Sequence, residues 1–139
     1  MIGLLQRVSQ ANVVVQKRVI AEIARGLVVF VAVEHGDTEA HATQLLGRLT
    51  GIRVFPDGDG RMNLNILEAK GSMLLVPQFT LAADTRKGNR PGFSGAAVRE
   101  EGSRLFEYLV AQAKNSETPV YAGKFGAEMQ VNISNEILN

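Results

Sequence analysis

Apolar positions along the chain fall into short runs broken by polar or glycine-containing pairs, the rhythm of a strand-rich fold. Ile2 to Val8 reads as a first strand with Arg7 near its end, and Ala11 to Gln16 as a second, β-branched one. Lys17-Arg18 supplies a polar turn, and Val19 to Ile23 returns as a third strand. After the turn at Arg25-Gly26, the segment Leu27-Val28-Val29-Phe30-Val31-Ala32-Val33 is apolar at every position. A strand without polar alternation is covered on both faces, so this one belongs at the centre of a sheet.

The period then changes. Asp37 or Thr38 caps a helix running to about Thr50, with Gly51 as its stop and Leu45, Leu46 and Leu49 as its buried stripe. Ile52 to Phe55 reads as a short strand, Pro56-Asp57-Gly58-Asp59-Gly60 as a tight turn, and Arg61 to Ile66 follows it. Asp57, Asp59 and Gly60 resemble part of a calcium loop, but the glutamate that would complete one is missing at the required offset. Ser94 to Ala97 leads into a second helix ending near Asn115, with Leu105, Phe106, Leu109, Val110 and Ala113 on its apolar face. Gly102 weakens that helix by about 1 kcal/mol relative to alanine. Val120-Tyr121-Ala122 is a short strand, Gly123 to Gly126 a turn, and Ala127 to Ser134 the last strand. Without repeats or linkers, residues 1–139 read as one layered α/β domain, a mostly antiparallel or mixed sheet covered by two main helices.

One stretch departs from ordinary strand-and-turn patterning. Met73-Leu74-Leu75-Val76 breaks into Pro77-Gln78-Phe79-Thr80, and the basic loop Arg86-Lys87-Gly88-Asn89-Arg90-Pro91 follows closely. Polar side chains at the end of a rigid strand, beside positive charge, suit a polyanionic substrate; an ordinary solvated turn would look much the same. Composition narrows the class. With 45% hydrophobic and 21% charged residues the 139-residue chain can bury a core of its own. It has no cysteine, which excludes disulfide scaffolds, thiol nucleophiles and cysteine-ligated zinc and fits a reducing cytoplasm. The first residues lack the pattern of a signal peptide, and the longest apolar run is far short of a membrane span. A net charge of +1 means that any nucleic acid must be held by a local patch.

Most familiar chemistries find no residues to carry them. The two histidines, His35 and His41, lie in a loop and at a helix start, neither beside a nucleophile motif. The acids Asp57, Asp59, Glu100 and Glu101 sit in turn or helix-surface contexts as solvated charge, and neither a phosphate loop nor a dinucleotide fingerprint is present. No metal or cofactor is expected. What remains is Gln78 and Thr80 at the strand end, where backbone N–H groups come free of sheet pairing. Such donors stabilise an oxyanion formed on an ester carbonyl. Thr80 lacks an evident base, so positioning and electrostatics outrank covalent catalysis.

Several blocks in fixed order resemble one family: Leu5-Gln6-Arg7-Val8, Arg53-Val54-Phe55 through Gly60-Arg61-Met62-Asn63-Leu64-Asn65, Gln78-Phe79-Thr80-Leu81, Asp84-Thr85-Arg86-Lys87-Gly88, Arg90-Pro91 with Phe93-Ser94, and Phe125-Gly126-Ala127 with Met129-Gln130-Val131. The chain closely resembles the D-aminoacyl-tRNA deacylases over nearly its whole length. That resemblance implies a homodimer with active sites at the subunit interface. It also implies hydrolysis of the ester between a D-amino acid, or mischarged glycine, and the 3′ acceptor end of tRNA. Membrane and DNA are not expected as partners. Gln78, Phe79 and Thr80 match the catalytic motif and would line the pocket for the adenosine and its ester. Phe125 and Met129 match residues around the adenine end, and Arg7 the arginine that braces the chiral-selection loop. The family's catalysis is thought to lean on the RNA's own 2′-hydroxyl. Arg86, Lys87 and Arg90 are candidates for phosphate contact on charge alone.

Two departures accompany the match. Pro77 stands where the family has serine, removing a hydroxyl and a backbone N–H at the mouth of the site. Beyond Asn135-Glu136 the family continues into a cis Gly-Pro pair that excludes L-amino acids, whereas here Ile137-Leu138-Asn139 follows. A cis bond without proline costs about 3 kcal/mol, so other residues imitate that device poorly. This departure bears on chiral selection, pocket integrity and dimer stability. Two further readings stay open: a catalytically impaired dimer that binds the tRNA acceptor end, and an esterase acting on small acylated metabolites.

Overall fold

The computed structural model describes residues 1–137, so Leu138 and Asn139, at the expected site of divergence from the Gly-Pro segment, lie outside the described residues. The chain opens with a long hairpin. β1 runs unbroken over Ile2–Val15 and returns as β2, Arg18–Ile23. The two strands expected at Ile2 to Val8 and Ala11 to Gln16 are therefore one. Ser9 and Gln10 are exposed where the pairing of β1 with the last strand shifts register between Val8 and Gln10, so the polar pair marks a bulge and not a break. The turn falls at Gln16-Lys17, one residue earlier than expected, with φ of 49° and 65°. Positive φ at both central residues is what a two-residue hairpin of matching twist requires.

β3, Gly26–Ala32, continues the pairing of β2 along the same edge of β1, from Ala11↔Ile23 to Val8↔Gly26. α1, Glu39–Gly51, follows, with Thr38 as N-cap. The Thr38 N–H donates to His41 Nδ1 at 2.9 Å, closing a capping box in which histidine replaces the usual acid or amide. Ala42 and Leu49 are buried, while Leu45 and Leu46 pack half-buried at the core's edge. Gly51 is helical and the stop comes at Ile52, whose backbone is extended. The strand expected at Ile52 to Phe55 shrinks to β4, Phe55–Pro56, paired with β5, Met62–Leu64. Between them Asp57 Oδ1 accepts the N–H groups of Asp59 and Arg61 at 2.9 and 3.1 Å. These backbone donors, Arg61 first, hold the Asp57 carboxyl below its usual range, and the segment is a turn.

β6, Ser72–Pro77, lies parallel to β3 (Leu27↔Met73, Val31↔Pro77), and a single 3₁₀ turn, Phe79–Ala82, follows it. α2, Arg99–Lys114, buries the expected face, Leu105, Phe106, Leu109, Val110 and Ala113. β7, Val120–Ala122, pairs parallel with β6, and β8, Gln130–Asn135, pairs antiparallel with β1. The mixed sheet runs β2-β1-β3-β6-β7, with β8 on β1.

Alternation along the central strands supplies two cores. Leu27, Val29, Val31, Met73 and Leu75 face the helices, packing with Leu49, Phe106 and Leu109. Val28, Leu74 and Val76 face the other way, into a layer closed by Val8, Val13 and Ile23 as the sheet curls on itself in barrel-like fashion. That double burial is what the uninterrupted apolar run of β3 requires. The Met1 ammonium is tied to Asp37 at 2.7 Å and Glu34 at 3.0 Å. Burial works against its charge, but these two hydrogen bonds prevail and raise its pKa above 8.0. No helix among the described residues is long and apolar enough to cross a membrane.

Candidate active site

The parallel ladder of β6 ends with the Gln78 N–H donating to Val31 O at 2.7 Å. The chain then tightens into the 3₁₀ turn. The N–H groups of Phe79 and Thr80 open that turn, the position at which a helix leaves donors without an acceptor of its own. Both residues are exposed, and the Gln78 amide donates to Thr80 Oγ1, so the two polar side chains form one unit. Donors fixed on a strand end and open to solvent are geometrically ready for a developing oxyanion.

Pro77 fits this strand end without loss of a ladder bond. In a parallel strand successive N–H groups point to opposite neighbours. Gln78 donates toward β3, so position 77 faces the β7 side, where pairing has already finished at Ala122 and the Gly123 N–H takes Leu75 O at 2.8 Å. A proline at the last residue of a strand, facing no partner, removes nothing from the sheet.

A cleft of about 500 Å³ opens beside the turn. Val76, Pro77, Gln78 and Phe79 form one wall; Phe125, Gly126, Ala127 and Met129 form the other. Ala97, Arg99 and Val131 complete it. The size is that of a small-molecule site. The Phe125 ring is held by α2: it lies 6.2 Å from the Phe106 ring between centroids, and a Cβ on Gly102 would come within 3.2 Å of its edge. Gly102, which in sequence reads only as a weak point of the helix, is the notch that seats this ring. Gly123 does the same for Met129, whose sulfur lies 2.8 Å from where a Cβ would stand.

The structure thus brings Gln78, Phe79, Phe125 and Met129 onto one cleft, with Thr80 bonded to Gln78 at its edge. It leaves the other candidates elsewhere. Arg7 does not line the cleft; its guanidinium donates to Val54 O at 2.6 Å and Glu136 O at 3.3 Å, bracing the end of β8. Its Nε is buried without a hydrogen-bond partner. Arg86, Lys87 and Arg90 sit on an exposed loop cinched by paired backbone bonds between Asp84 and Gly92. Arg86 is occupied: its Nε and Nη2 donate to Asp84 at 2.9 and 2.8 Å. The Arg86 guanidinium holds the Asp84 carboxyl below its usual range and is itself pushed up in return. Lys87 and Arg90 make no ion pair among the described residues. The loop is tied back to the turn by Phe93, whose ring meets Phe79 edge-on at 5.1 Å.

Arg99, Gly102 and Gly123 escaped the sequence reading as contributors to the cleft. An arginine and a glycine at the start of an amphipathic helix carry no local signal of a cleft. Among the described residues no group of three or more His, Asp or Glu side chains could hold a metal ion.

Comparison with known proteins decides the family. The model of the D-Tyr-tRNA(Tyr) deacylase family matches residues 4–136. This chain belongs to the D-Tyr-tRNA(Tyr) deacylase family. A D-aminoacyl-tRNA deacylase of Methylibium petroleiphilum is 54% identical over 98% of this chain and 90% of its own length. That of Nitrosococcus oceani is 53% identical over 98% and 88%. Among solved structures, the c-Myc DNA Unwinding Element Binding Protein superposes with a TM-score of 0.91 at 31% identity, over 96% of this chain and 91% of that one. A probable eukaryotic D-amino acid tRNA deacylase shares the fold with a TM-score of 0.79 at 18% identity, over 96% and 93%.

Proposed function

We propose that this chain hydrolyses the ester joining a D-amino acid, or mischarged glycine, to the terminal adenosine of tRNA, as a proofreading step in the cytoplasm. The observation that carries the reading is one juxtaposition: the open turn at Phe79 and Thr80 borders an apolar cleft walled by Phe125 and Met129. The base lies against the aromatic wall and the ester carbonyl meets the turn. Attack by water forms a tetrahedral oxyanion, which the Phe79 and Thr80 N–H groups stabilise. Collapse breaks the bond to the ribose oxygen; of the attacking water's two protons one passes to that oxygen and the other to solvent, freeing tRNA and the amino acid as its carboxylate. The cleft presents no histidine, carboxylate or lysine among its lining residues, so rate comes from positioning and fixed dipoles. This accords with the 2′-hydroxyl role implied by the family resemblance.

The active unit is a homodimer in this reading. Phe79 on the cleft and Val98, between the lining residues Ala97 and Arg99 in sequence, stand 56% and 65% exposed, apolar area suited to cover by a second subunit. Lys87 and Arg90 are the phosphate contacts, holding the acceptor stem without reading sequence.

The test is release of amino acid from D-Tyr-tRNA and L-Tyr-tRNA, side by side. Turnover of D-Tyr-tRNA is expected. Release of the L-substrate too would mean that chirality is not enforced by this chain. Release of neither at micromolar enzyme, with tRNA still bound, would replace the deacylase by an acceptor-end binding protein. Equal turnover of a short aminoacyl ester and charged tRNA would make it a small-molecule esterase.

A further inference from the structure

Arg99 is the one charged side chain on an otherwise nearly apolar cleft, where Gln78 is the only other polar side chain. Its guanidinium packs against the turn at Gly126, Nη2 nearest. A Cβ on Gly126 would come within 2.6 Å of Nη2 and 3.4 Å of Cζ, and Gly126 has φ of 79°. A residue with a side chain would thus both strain that turn and push the guanidinium away. No acid lies in ion-pair contact with it among the described residues. Glu101 is taken by Arg104, which also reaches Glu39 at 3.1 Å, and Arg99 forms no ion pair among the described residues. A carboxylate elsewhere could satisfy an arginine on an ordinary helix surface. Arg99 lines the cleft and, among the described residues, makes neither an ion pair nor a side-chain hydrogen bond, so its donor fork is open to a ligand.

We propose that Arg99 binds the 5′-phosphate of the terminal nucleotide, and so gives the cleft a preference for a nucleotide over a nucleoside. The inference rests on the deacylase reading and deepens it. Three features of the cleft match three parts of one ligand. The Phe125 and Met129 wall suits a flat base, the donors at Phe79 and Thr80 suit the acyl end, and the guanidinium suits one anion. A planar fork meets a phosphate with two parallel hydrogen bonds, which fixes the nucleotide's orientation as well as adding attraction. Arg99 would then set how far the ester reaches toward the turn. This differs from the role of Lys87 and Arg90, which lie on the exposed outer loop and do not line the cleft.

The test is binding of adenosine 5′-monophosphate and of adenosine to the full chain, with Arg99→Gln and Arg99→Lys beside the wild type. The wild type should bind the monophosphate roughly 10-fold tighter than adenosine, as expected for a charge-assisted pair. Arg99→Gln should bring the two to within about 2-fold of each other while adenosine affinity is unchanged, and Arg99→Lys should keep part of the preference. Equal binding of the two by the wild type, binding of neither, or a preference that survives Arg99→Gln would overturn the proposal. A fall in affinity for both ligands in Arg99→Gln would also overturn it, by assigning Arg99 to the shape of the cleft. Turnover of D-Tyr-tRNA by the wild type is measured on the same preparation. Its absence would remove the deacylase reading, whereas turnover without a phosphate preference would remove only the role of Arg99.

Discussion

The cleft wall and the basic loop that follows it are separated by a few residues and are built in opposite ways. The wall stands on β6, where Met73, Leu74 and Leu75 are fully buried, and on α2 through Phe106. The loop from Thr85 to Ser94 is exposed throughout and is held by the Asp84–Gly92 backbone pair, the Asp84–Arg86 ion pair and the Phe93–Phe79 contact. Packing fixes positions to fractions of an ångström and is indifferent to salt. Exposed ion pairs are weak and screened by it. Geometry-critical chemistry therefore belongs on the wall, and adjustable capture of a polyanion belongs on the loop.

The strongest challenge to that division is removal of the wall's support. Phe106→Ala deletes a side chain that is 1% exposed and lies against Phe125. It should cost about 3–5 kcal/mol by denaturant unfolding and should cut deacylation along with it. A loss below about 1 kcal/mol would show that the ring is not anchored through α2.

Pro77→Ser acts at the strand end, where no ladder bond is at stake. Its effect on stability should stay within about 1 kcal/mol. A larger loss in thermal unfolding would mean that position 77 does contribute to the sheet.

The smallest effect is expected from pH at the loop. Folding lowers the Asp84 carboxyl below its ordinary 3.8, so the tie to Arg86 is fully present above that value. It fades only as pH falls through the lower folded value. The loop should therefore be unchanged between neutral pH and pH about 5. An NMR titration of Asp84 with a midpoint above 3.8 would break this account.

Much of the scaffold is legible in the chain because burial leaves a period. The α2 face and the doubly covered β3 follow directly from apolar spacing. The split of β1 was misplaced because Ser9-Gln10 carries the polarity of a turn while lying on a bulged strand. The Gln78-Phe79-Thr80 corner was visible as an abrupt end to an apolar run. Gly102, Gly123 and Arg99 were not, because each matters through a contact that only the fold creates, with Phe125, Met129 and Gly126 respectively. His41 had a readable signal, three residues after Thr38, but in a residue type seldom counted in a capping box.

The most direct measurement compares steady-state hydrolysis of D-Tyr-tRNA across salt for two variants, Thr80→Ala on the turn and Lys87→Ala/Arg90→Ala on the loop. Thr80→Ala keeps the backbone N–H but frees the Gln78 amide that the Thr80 hydroxyl holds beside the cleft, so kcat should fall by about 10-fold with its salt dependence unchanged. The loop variant should keep kcat, raise KM, and flatten the slope of log affinity against log salt by about 1.5–2. A loop variant that loses kcat at unchanged KM, or a turn variant with full kcat, would contradict the assignment of chemistry to the wall and capture to the loop.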